Sequence, residues 1–234
     1  MALLFTVVCG HLCCVTNTSV ITKNEYGLQV ISKANIYKQT VKANKNKRMV
    51  ALSSYLIPLK IDWPYASPNN FAHQVLYTNP VAYMRIEAAL ALQKISDELK
   101  SKGLGLKIFD AYRPYSVTKK MWSIVPDERY AANPAKGSGH NRGAAVDLTL
   151  YNLSTGAEIP MPTAFDDFTE KAHHNFMQLD TAILQNRKML KGTMERYGFV
   201  ALDTEWWHYY LPNAAQRFEL LDLSFEQLKN EIDQ

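Results

Sequence analysis

Two short motifs in this chain carry side chains suited to binding a metal ion. The first, S-x-H-x-x-G-x-A-x-D, contains His140 and Asp147, and the second, E-x-x-H, runs from Glu205 to His208. Zinc in hydrolases usually takes three His or carboxylate ligands and leaves a fourth position for water, which a nearby carboxylate deprotonates. The pattern therefore predicts His140, Asp147 and His208 as ligands of one zinc ion per chain and Glu205 as the base.

The backbone around these motifs is also suggested by their composition. Gly143 permits backbone angles that a larger residue resists, so a turn can present His140 and a following strand can present Asp147 to the same ion. The E-x-x-H motif is rich in aromatic residues, unlike the helical H-E-x-x-H zinc motif. We therefore predict extended or bulged backbone there, with the rings of Trp206 and Trp207 either shielding the metal from bulk water or packing in the core.

Hydrophobic spacing predicts the elements that position these residues. After Pro80, apolar residues recur at three- and four-residue steps and predict a helix that ends before Gly103. A capping box at Ser224 predicts a terminal helix. Further helices are predicted at residues 116–122 and 181–197, and strands at 106–109, 144–150, 199–202 and 206–210, the last two as a β-ribbon.

Composition limits the domain organisation and the class of partner. With 234 residues, 47% of them hydrophobic, the chain can bury a core of one domain. We assign residues 1–60 to an N-terminal extension and residues 61–234 to the catalytic domain. The net charge of +4 does not indicate a nucleic-acid-binding protein. The extension is basic, which is more typical of a solvated arm than of a surface for anionic cell-envelope polymers or nucleic acid.

The first twenty residues bear on the compartment. An apolar run at residues 2–9 is typical of the core of a signal peptide, or of an N-terminal strand or tail, and it is too short to span a bilayer. All three cysteines lie within the first fourteen residues. A cysteine-free body fits a periplasmic or secreted enzyme, although it is also common in cytoplasmic proteins. We expect an exported protein without a stable membrane span, and the sequence indicates no oligomeric state.

Five stretches together carry a family resemblance: D-A-Y-R-P with Arg113, the S-x-H-x-x-G-x-A-x-D motif, Phe165-Asp166, His173-His174 and E-W-W-H-Y. The chain resembles the zinc D-alanyl-D-alanine dipeptidases, including those of vancomycin resistance, over most of its length. The resemblance implies an α+β fold with a central antiparallel sheet flanked by helices. Zinc D,D-carboxypeptidases and the hedgehog signalling domain share that fold.

The same resemblance implies roles for further residues. Arg113 stabilises the developing oxyanion, Tyr65 and Asp166 hold the free ammonium of the substrate, and Ser138 contacts the dipeptide near its carboxylate. Two departures concern the rim of the site and the N-terminus. The stretch between Arg113 and Ser138 is shorter than in the resistance enzymes, and the first sixty residues have no counterpart there.

Alternative interpretations exist for several of these residues. Arg113 also suits a structural salt bridge, because its guanidinium is permanently charged. Asp166 with Asp167 suits the N-terminus of a helix, where the macrodipole favours acids. One of His173 and His174 suits an additional metal contact or, more in keeping with adjacent histidines, a partner that orients a ligand or Asp166.

Three functions are compatible with this pattern. The first is zinc-dependent hydrolysis of D-Ala-D-Ala or a related free dipeptide. The second is a cell-wall D,D- or L,D-carboxypeptidase that trims peptidoglycan stem peptides, and the third is a zinc-bearing binding module without catalysis. Glu205 and Arg113 together argue against the third. Asp166 favours a small dipeptide as the partner, because a long peptide has no ammonium at that position.

Overall fold

The computed structural model describes residues 21–232 of the chain. The apolar run at residues 2–9 and the three cysteines lie outside the described residues. Between residues 21 and 232, no helix is both long and apolar enough to cross a bilayer. The exported location therefore stays a prediction.

Six α-helices lie within the described part of the chain. The helices predicted at residues 116–122 and 181–197 are confirmed. So is the capping box of the last helix, in which the Ser224 amide donates to Gln227 Oε1 at 2.8 Å and the Gln227 amide donates to Ser224 Oγ at 3.1 Å. The helices are α1 (Ala34–Ala43), α2 (Ile86–Lys100), α3 (Tyr115–Ile124), α4 (Thr181–Arg196), α5 (Ala214–Arg217) and α6 (Phe225–Ile232).

Nine strands within residues 21–232 form one five-stranded sheet and two pairs. The pairs join β1 to β9 in parallel and β2 to β4 in antiparallel orientation. The strands are β1 (Val30–Ile31), β2 (Met49–Ala51), β3 (Lys60–Ile61), β4 (Tyr83–Arg85), β5 (Leu104–Asp110), β6 (Ala145–Asn152), β7 (Val200–Ala201), β8 (His208–Tyr210) and β9 (Leu220–Leu221).

The five-stranded sheet forms the centre of the fold in the order β3-β5-β6-β8-β7. Its neighbours are antiparallel, except that the edge strand β3 runs parallel to β5. Strands β5 and β6 are buried along almost their whole length. The predicted α+β fold with a central antiparallel sheet is confirmed, and the parallel edge strand is an addition to it.

Helix α2 packs its apolar stripe against this sheet. Leu92, Ile95 and Leu99 recur at helical spacing, are fully buried, and share one core with Leu106 of β5 and Leu148 of β6. Burying one such side chain contributes about 1.5–3 kcal/mol relative to leaving it exposed. The sheet and the helix therefore hold each other in place.

The start of α2 differs from the prediction. The helix begins at Ile86 rather than near Pro80, because residues Tyr83–Arg85 form β4 and pair with Met49–Ala51. A partner strand that lies far upstream overrides the local three- and four-residue spacing. The apolar residues before Ile86 are thus buried by strand pairing.

The predicted β-ribbon near the C-terminus is confirmed, but it is shorter. Strand β7 pairs in antiparallel orientation with β8, which begins at His208. The predicted strand at residues 206–210 begins only at His208, because Trp206 and Trp207 form a turn in which the His208 amide donates to the Glu205 carbonyl at 3.3 Å. The turn places Glu205 beside the first residue of β8.

Part of the predicted extension packs on the rest of the molecule. Leu52 and Leu56 lie in the same core as α2, and two of the basic residues form ion pairs, Lys38 with Glu231 and Lys47 with Glu219. The division of the chain at residue 61 stays a prediction. Residues 30–61 supply three strands and a helix to the described fold.

Strand register aligns three polar residues at one level of the central sheet. Asp110 at the end of β5 lies opposite Asp147 of β6, and Asp147 lies opposite His208 of β8. A bulge in β5 between Ile108 and Asp110 shifts the pairing by one residue. Because directly opposed side chains in an antiparallel pair share a face, Asp110, Asp147 and His208 are neighbours on one face of the sheet.

Arg85 ties three segments together beneath the turn that carries His140. Its side chain is fully buried and donates to the carbonyls of Arg142 at 2.7 Å, of Glu219 at 3.2 Å and of Lys47. Its amide donates to the Gly143 carbonyl at 2.8 Å. Although burial lowers the pKa of Arg85 to about 10, the guanidinium stays charged at neutral pH.

Replacing Arg85 with Met should destabilise the fold. The change leaves three part-buried carbonyls without their donor, which costs on the order of 3 kcal/mol in the free energy of unfolding, measurable by urea denaturation. Arg217→Met is the matched control, because Arg217 is an exposed arginine that pairs with Glu87, and it should change little. Equal stability of the two variants would contradict a central role for Arg85.

Candidate metal centre and active-site cleft

The three predicted metal ligands come together at one point. His208 Nδ1 lies 2.8 Å from Asp147 Oδ1, His140 Nε2 lies 3.4 Å from Asp147 Oδ2, and the two histidine nitrogens are 3.2 Å apart. Within residues 21–232 they form the one group of three such side chains whose ligand atoms lie within 4.8 Å of one another. His140 and Asp147 are buried and His208 is half-buried.

His140 is oriented by the backbone around it. The residue begins a single 3-10 turn that ends at Gly143, whose φ of 65° lies in the left-handed region that favours glycine. A Cβ at Gly143 would also meet the Met49 side chain at 2.4 Å. His140 Nδ1 lies 2.7 Å from the Ala111 carbonyl. A hydrogen bond there leaves Nε2 directed at Asp147 and His208, the arrangement that metal-binding histidines adopt.

The electrostatics of the group suit a cation. Burial alone disfavours the charged form of Asp147, but His140 and His208 outweigh it and hold the pKa of that carboxyl below its usual range. Two imidazole nitrogens and one carboxylate oxygen are a donor set typical of catalytic zinc sites with an open fourth position. The residues present therefore fit a zinc ion.

Glu205 stands next to this group without joining it. Its carboxylate lies 4.0 Å from His208 Nδ1 and lines the same cavity. Burial raises the pKa of the Glu205 carboxyl above its ordinary value. A carboxylate with a raised pKa is a stronger base, which is the property that proton abstraction needs.

Arg113 combines the two predicted alternatives, since it lines the cavity and also forms a salt bridge. Its Nε and Nη2 donate to Asp110 Oδ2 at 2.9 and 2.7 Å. Asp110 is fully buried and also accepts bonds from the Tyr77 hydroxyl and the Ala111 amide, both at 2.8 Å. Asp110 therefore holds Arg113 in place.

Asp110 is the residue that the sequence analysis missed. It opens the D-A-Y-R-P motif, three positions before Arg113, and that spacing of opposite charges is the sequence signal that could have identified it. Its carboxylate oxygen also lies 3.9 Å from His140 Nδ1. One buried acid thus stands next to both Arg113 and the predicted metal ligand His140.

Tyr65 and Asp166 meet at another part of the cavity wall. The Tyr65 hydroxyl donates to the Asp166 carboxylate, with distances of 3.0 and 3.2 Å to the two oxygens. Burial first, and then the negative charge of Asp147, raise the pKa of the Asp166 carboxyl well above its usual range. An ammonium ion placed there would relieve both effects, because it offers the carboxylate a charged donor.

The alternative roles of the acidic pair are resolved by geometry. Asp166 has a φ of 60° and precedes no α-helix directly, while Asp167 accepts a bond from the Thr169 amide within a turn. Asp166 lines the cavity and Asp167 does not. The helix N-terminal interpretation is therefore wrong, and the two acids serve different purposes.

Ser138 and Trp207 also line the cavity. The Ser138 hydroxyl accepts a bond from the His140 amide at 3.1 Å, so it supports the turn that carries the ligand. Both tryptophans are buried, but the Trp206 indole turns away from the cavity and donates to Thr163 Oγ1 at 2.9 Å. Only Trp207 forms part of the wall.

His173 and His174 stand outside the metal group. The His173 carbonyl accepts a bond from Arg187 at 2.8 Å, and the His174 ring packs against Tyr209 with 6.3 Å between centroids. Burial lowers the pKa of His174 to about 4, so its imidazole is neutral at neutral pH. The predicted additional metal contact is wrong for both residues.

All eight predicted site residues line a single cavity, referred to below as the cleft. Its volume of about 170 Å³ is below the 300–1,000 Å³ of pockets for drug-sized ligands, so it suits a small molecule. It is lined by Tyr65, Arg113, Glu128, Tyr130, Ala131, Ala132, Ser138, His140, Asp147, Asp166, Phe168, Leu202, Glu205, Trp207 and His208.

The chain is similar in sequence to a family of known proteins. The profile of the D-ala-D-ala dipeptidase family matches residues 45–229. The D-alanyl-D-alanine dipeptidase of Escherichia coli (strain K12) is 34% identical over 167 residues, which cover 71% of this chain and 86% of that protein. The chain belongs to this family. This family is a family of metallopeptidases, so the protein is a metallopeptidase.

Two further comparisons extend the range of similar proteins. The D-alanyl-D-alanine dipeptidase of Enterococcus faecium is 36% identical over 143 residues, covering 53% of this chain and 71% of that protein. A solved vancomycin-resistance D,D-pentapeptidase variant in complex with Zn(II) is 15% identical. The structural match covers 66% of this chain and 88% of the chain of that variant, with a TM-score of 0.38. The family assignment rests on the sequence matches.

Asp110→Asn should lower the turnover of D-alanyl-D-alanine without releasing metal. The amide keeps the shape but loses the charge that holds Arg113, and misplacement of a catalytic group costs on the order of ten- to a hundredfold in rate. Steady-state kinetics with metal analysis of the purified protein checks this. Asp62→Asn, which alters an exposed acid bonded to Lys107, is the control. Unchanged kcat in the Asp110 variant would mean that Arg113 is held without it.

Proposed function

We propose that this protein hydrolyses D-alanyl-D-alanine as the free dipeptide, with one zinc ion held by His140, Asp147 and His208. The observation that carries the proposal is the small cleft that these three residues line together with Glu205 and the half-buried Asp166. The names of the similar dipeptidases support the substrate. When bound, the zinc ion would polarise the scissile carbonyl and bring the pKa of water near neutrality.

The side chains of the protein supply the proton transfer. Glu205 accepts the proton of the attacking water and passes it to the leaving amine of the C-terminal residue. Its raised pKa suits both steps, because the same carboxyl must first take up the proton and then release it. Leu202 and Trp207 line the cleft on either side of Glu205 in the sequence and limit the access of bulk water.

Arg113 stabilises the negative charge that develops on the carbonyl oxygen. Its guanidinium is fixed by Asp110 before the substrate arrives, so little reorganisation is needed in the transition state. Its planar face also lies over the Tyr65 ring, 5.5 Å from the centroid. Removing one donor to an oxyanion typically costs on the order of a hundredfold or more in turnover.

Asp166 and Tyr65 hold the substrate's ammonium, and Ser138 lies near its carboxylate. A free dipeptide can then make a charge-assisted contact with Asp166 while its scissile carbonyl lies at the metal centre. A stem peptide presents an amide at that position and would leave Asp166 buried without a charged partner. This difference favours the dipeptidase over a cell-wall carboxypeptidase.

Zinc content and turnover should separate the ligands from the base. His140→Ala should lose both bound zinc and activity, whereas Glu205→Gln should keep the zinc and lose turnover by on the order of a hundredfold or more. Metal analysis and kinetics on the same samples measure both. Full zinc occupancy in the His140 variant would reject the ligand assignment, and near-normal turnover in the Glu205 variant would reject the base.

Acetylation of the substrate tests the ammonium site. N-acetyl-D-Ala-D-Ala should be cleaved poorly, because acetylation removes the charge that Asp166 would bind. Asparagine tolerates the left-handed backbone at position 166. Asp166→Asn should therefore slow cleavage of the free dipeptide and reduce the difference in rate between the free and the acetylated substrate. Asp167→Asn is the neighbouring control. Equal cleavage of free and acetylated substrates by the unmodified enzyme would favour the carboxypeptidase function.

A further inference from the structure

An aromatic contact that the proposed chemistry does not use lies at the rim of the cleft. Tyr130 belongs to the segment between α3 and Ser138, and Phe168 follows Asp166 by two residues. Both side chains line the cleft, and their rings meet edge to face with 4.9 Å between centroids. Tyr130 is 40% exposed, which places this rim contact at the border with solvent.

The rim contact lies at the Asp166 side of the cleft. Phe168 makes edge contacts with Trp207 at 6.0 Å and with Phe71 at 5.9 Å between centroids. Phe71 in turn contacts Tyr65, whose hydroxyl bonds Asp166. Aromatic contacts thus lead from Tyr65, which bonds the carboxylate, through Phe71 and Phe168 to Tyr130.

The loop that carries Tyr130 is anchored on both sides of it. Ala131 is buried and its amide donates to the Asp127 carbonyl at 3.0 Å. Glu128 pairs with Lys136 at 2.7 Å and so links the beginning of the loop to its end. Anchoring of this kind fixes the position of the exposed ring between the two anchors.

We propose that Tyr130 and Phe168 determine substrate specificity by limiting the bulk that the substrate's amine can carry. The inference rests on the proposed function and deepens it. Asp166 distinguishes a charged amine from an amide, but it does not distinguish a primary ammonium from an alkylated one, because both are cations. Both rings line the cleft that also contains the Asp166 carboxylate, so an alkyl group on a bound amine would compete with them for the same space.

A pair of substrates that differ in bulk and not in charge isolates the rim contact. D-Ala-D-Ala and N-propyl-D-Ala-D-Ala both carry an ammonium at neutral pH, so a change in the ratio of their kcat/KM values between the parent enzyme and a rim variant reports on space and not on charge. In Tyr130→Ala and Phe168→Ala, kcat/KM for the N-propyl substrate should rise about tenfold or more relative to kcat/KM for the unsubstituted one. This is the size of effect that a pocket wall exerts on added methylenes.

Two control variants accompany the test. Tyr130→Phe keeps the ring and should keep the ratio of the parent enzyme. Tyr26→Ala removes another exposed tyrosine, one that does not line the cleft, and should also keep the ratio. Bound zinc, measured in every variant, verifies that the metal centre is intact.

The outcomes separate this inference from the proposed function. A parent enzyme that cleaves both substrates equally, or a ratio unchanged in Tyr130→Ala with zinc retained, would overturn the inference and leave the dipeptidase activity standing. A parent enzyme that binds zinc and cleaves neither substrate would overturn the proposed function and this inference with it. Because Phe168 also packs against Phe71 and Trp207, its replacement could prevent folding. In that case the result for Tyr130→Ala alone tests the inference.

Discussion

The structure depends on keeping several carboxylates together in a space from which water is largely excluded. Asp110, Asp147, Asp166 and Glu205 all lie in or behind the cleft, and like charges buried near one another repel strongly. Each carboxylate is therefore accommodated in its own way. Asp110 is paired with Arg113 and Asp147 with two histidines, while Glu205 and Asp166 have raised pKa values.

This charge distribution explains why the cleft suits two cations at different places. A metal ion bound between the histidines and Asp147 would compensate the charge of this buried carboxylate. An ammonium at Asp166 compensates the one beside Tyr65. Under the proposed function, a substrate that brings its own positive charge would complete the electrostatic balance of the site, and a neutral substrate of the same shape would not. Substrate selection is thus tied to the same burial that makes Glu205 a useful base.

Much of the site was predictable from the sequence, because its ligands and base fall into short motifs with strict residue types. His140 lies in a short turn, Asp147 in β6 and His208 in β8, and the sequence around each residue indicates that local structure. Asp110 was not predictable in the same way, since its role depends on hydrogen bonds from Tyr77, a residue distant in the chain.

The elements of the fold divide along the same line. Helices α3 and α4 follow their own hydrophobic spacing, and so the sequence predicted them. The start of α2 depended on pairing with Met49–Ala51, which no local pattern records. The contact between Tyr130 and Phe168 likewise joins two loops that are distant in sequence.

The bulge in β5 lets one strand serve two purposes. Ile108 lies opposite Leu148 and contributes to the core beneath α2, and in a regular strand Asp110 would share that apolar face, because side chains alternate with a period of two. The extra residue reverses the alternation, so Asp110 turns to the face of Asp147, and Phe109 stacks on Phe165 with 4.7 Å between centroids. A strand of the same length without the bulge would direct its acid into the hydrophobic core, so the bulge, and not the residue type at position 110 alone, decides which face of the sheet the carboxylate occupies.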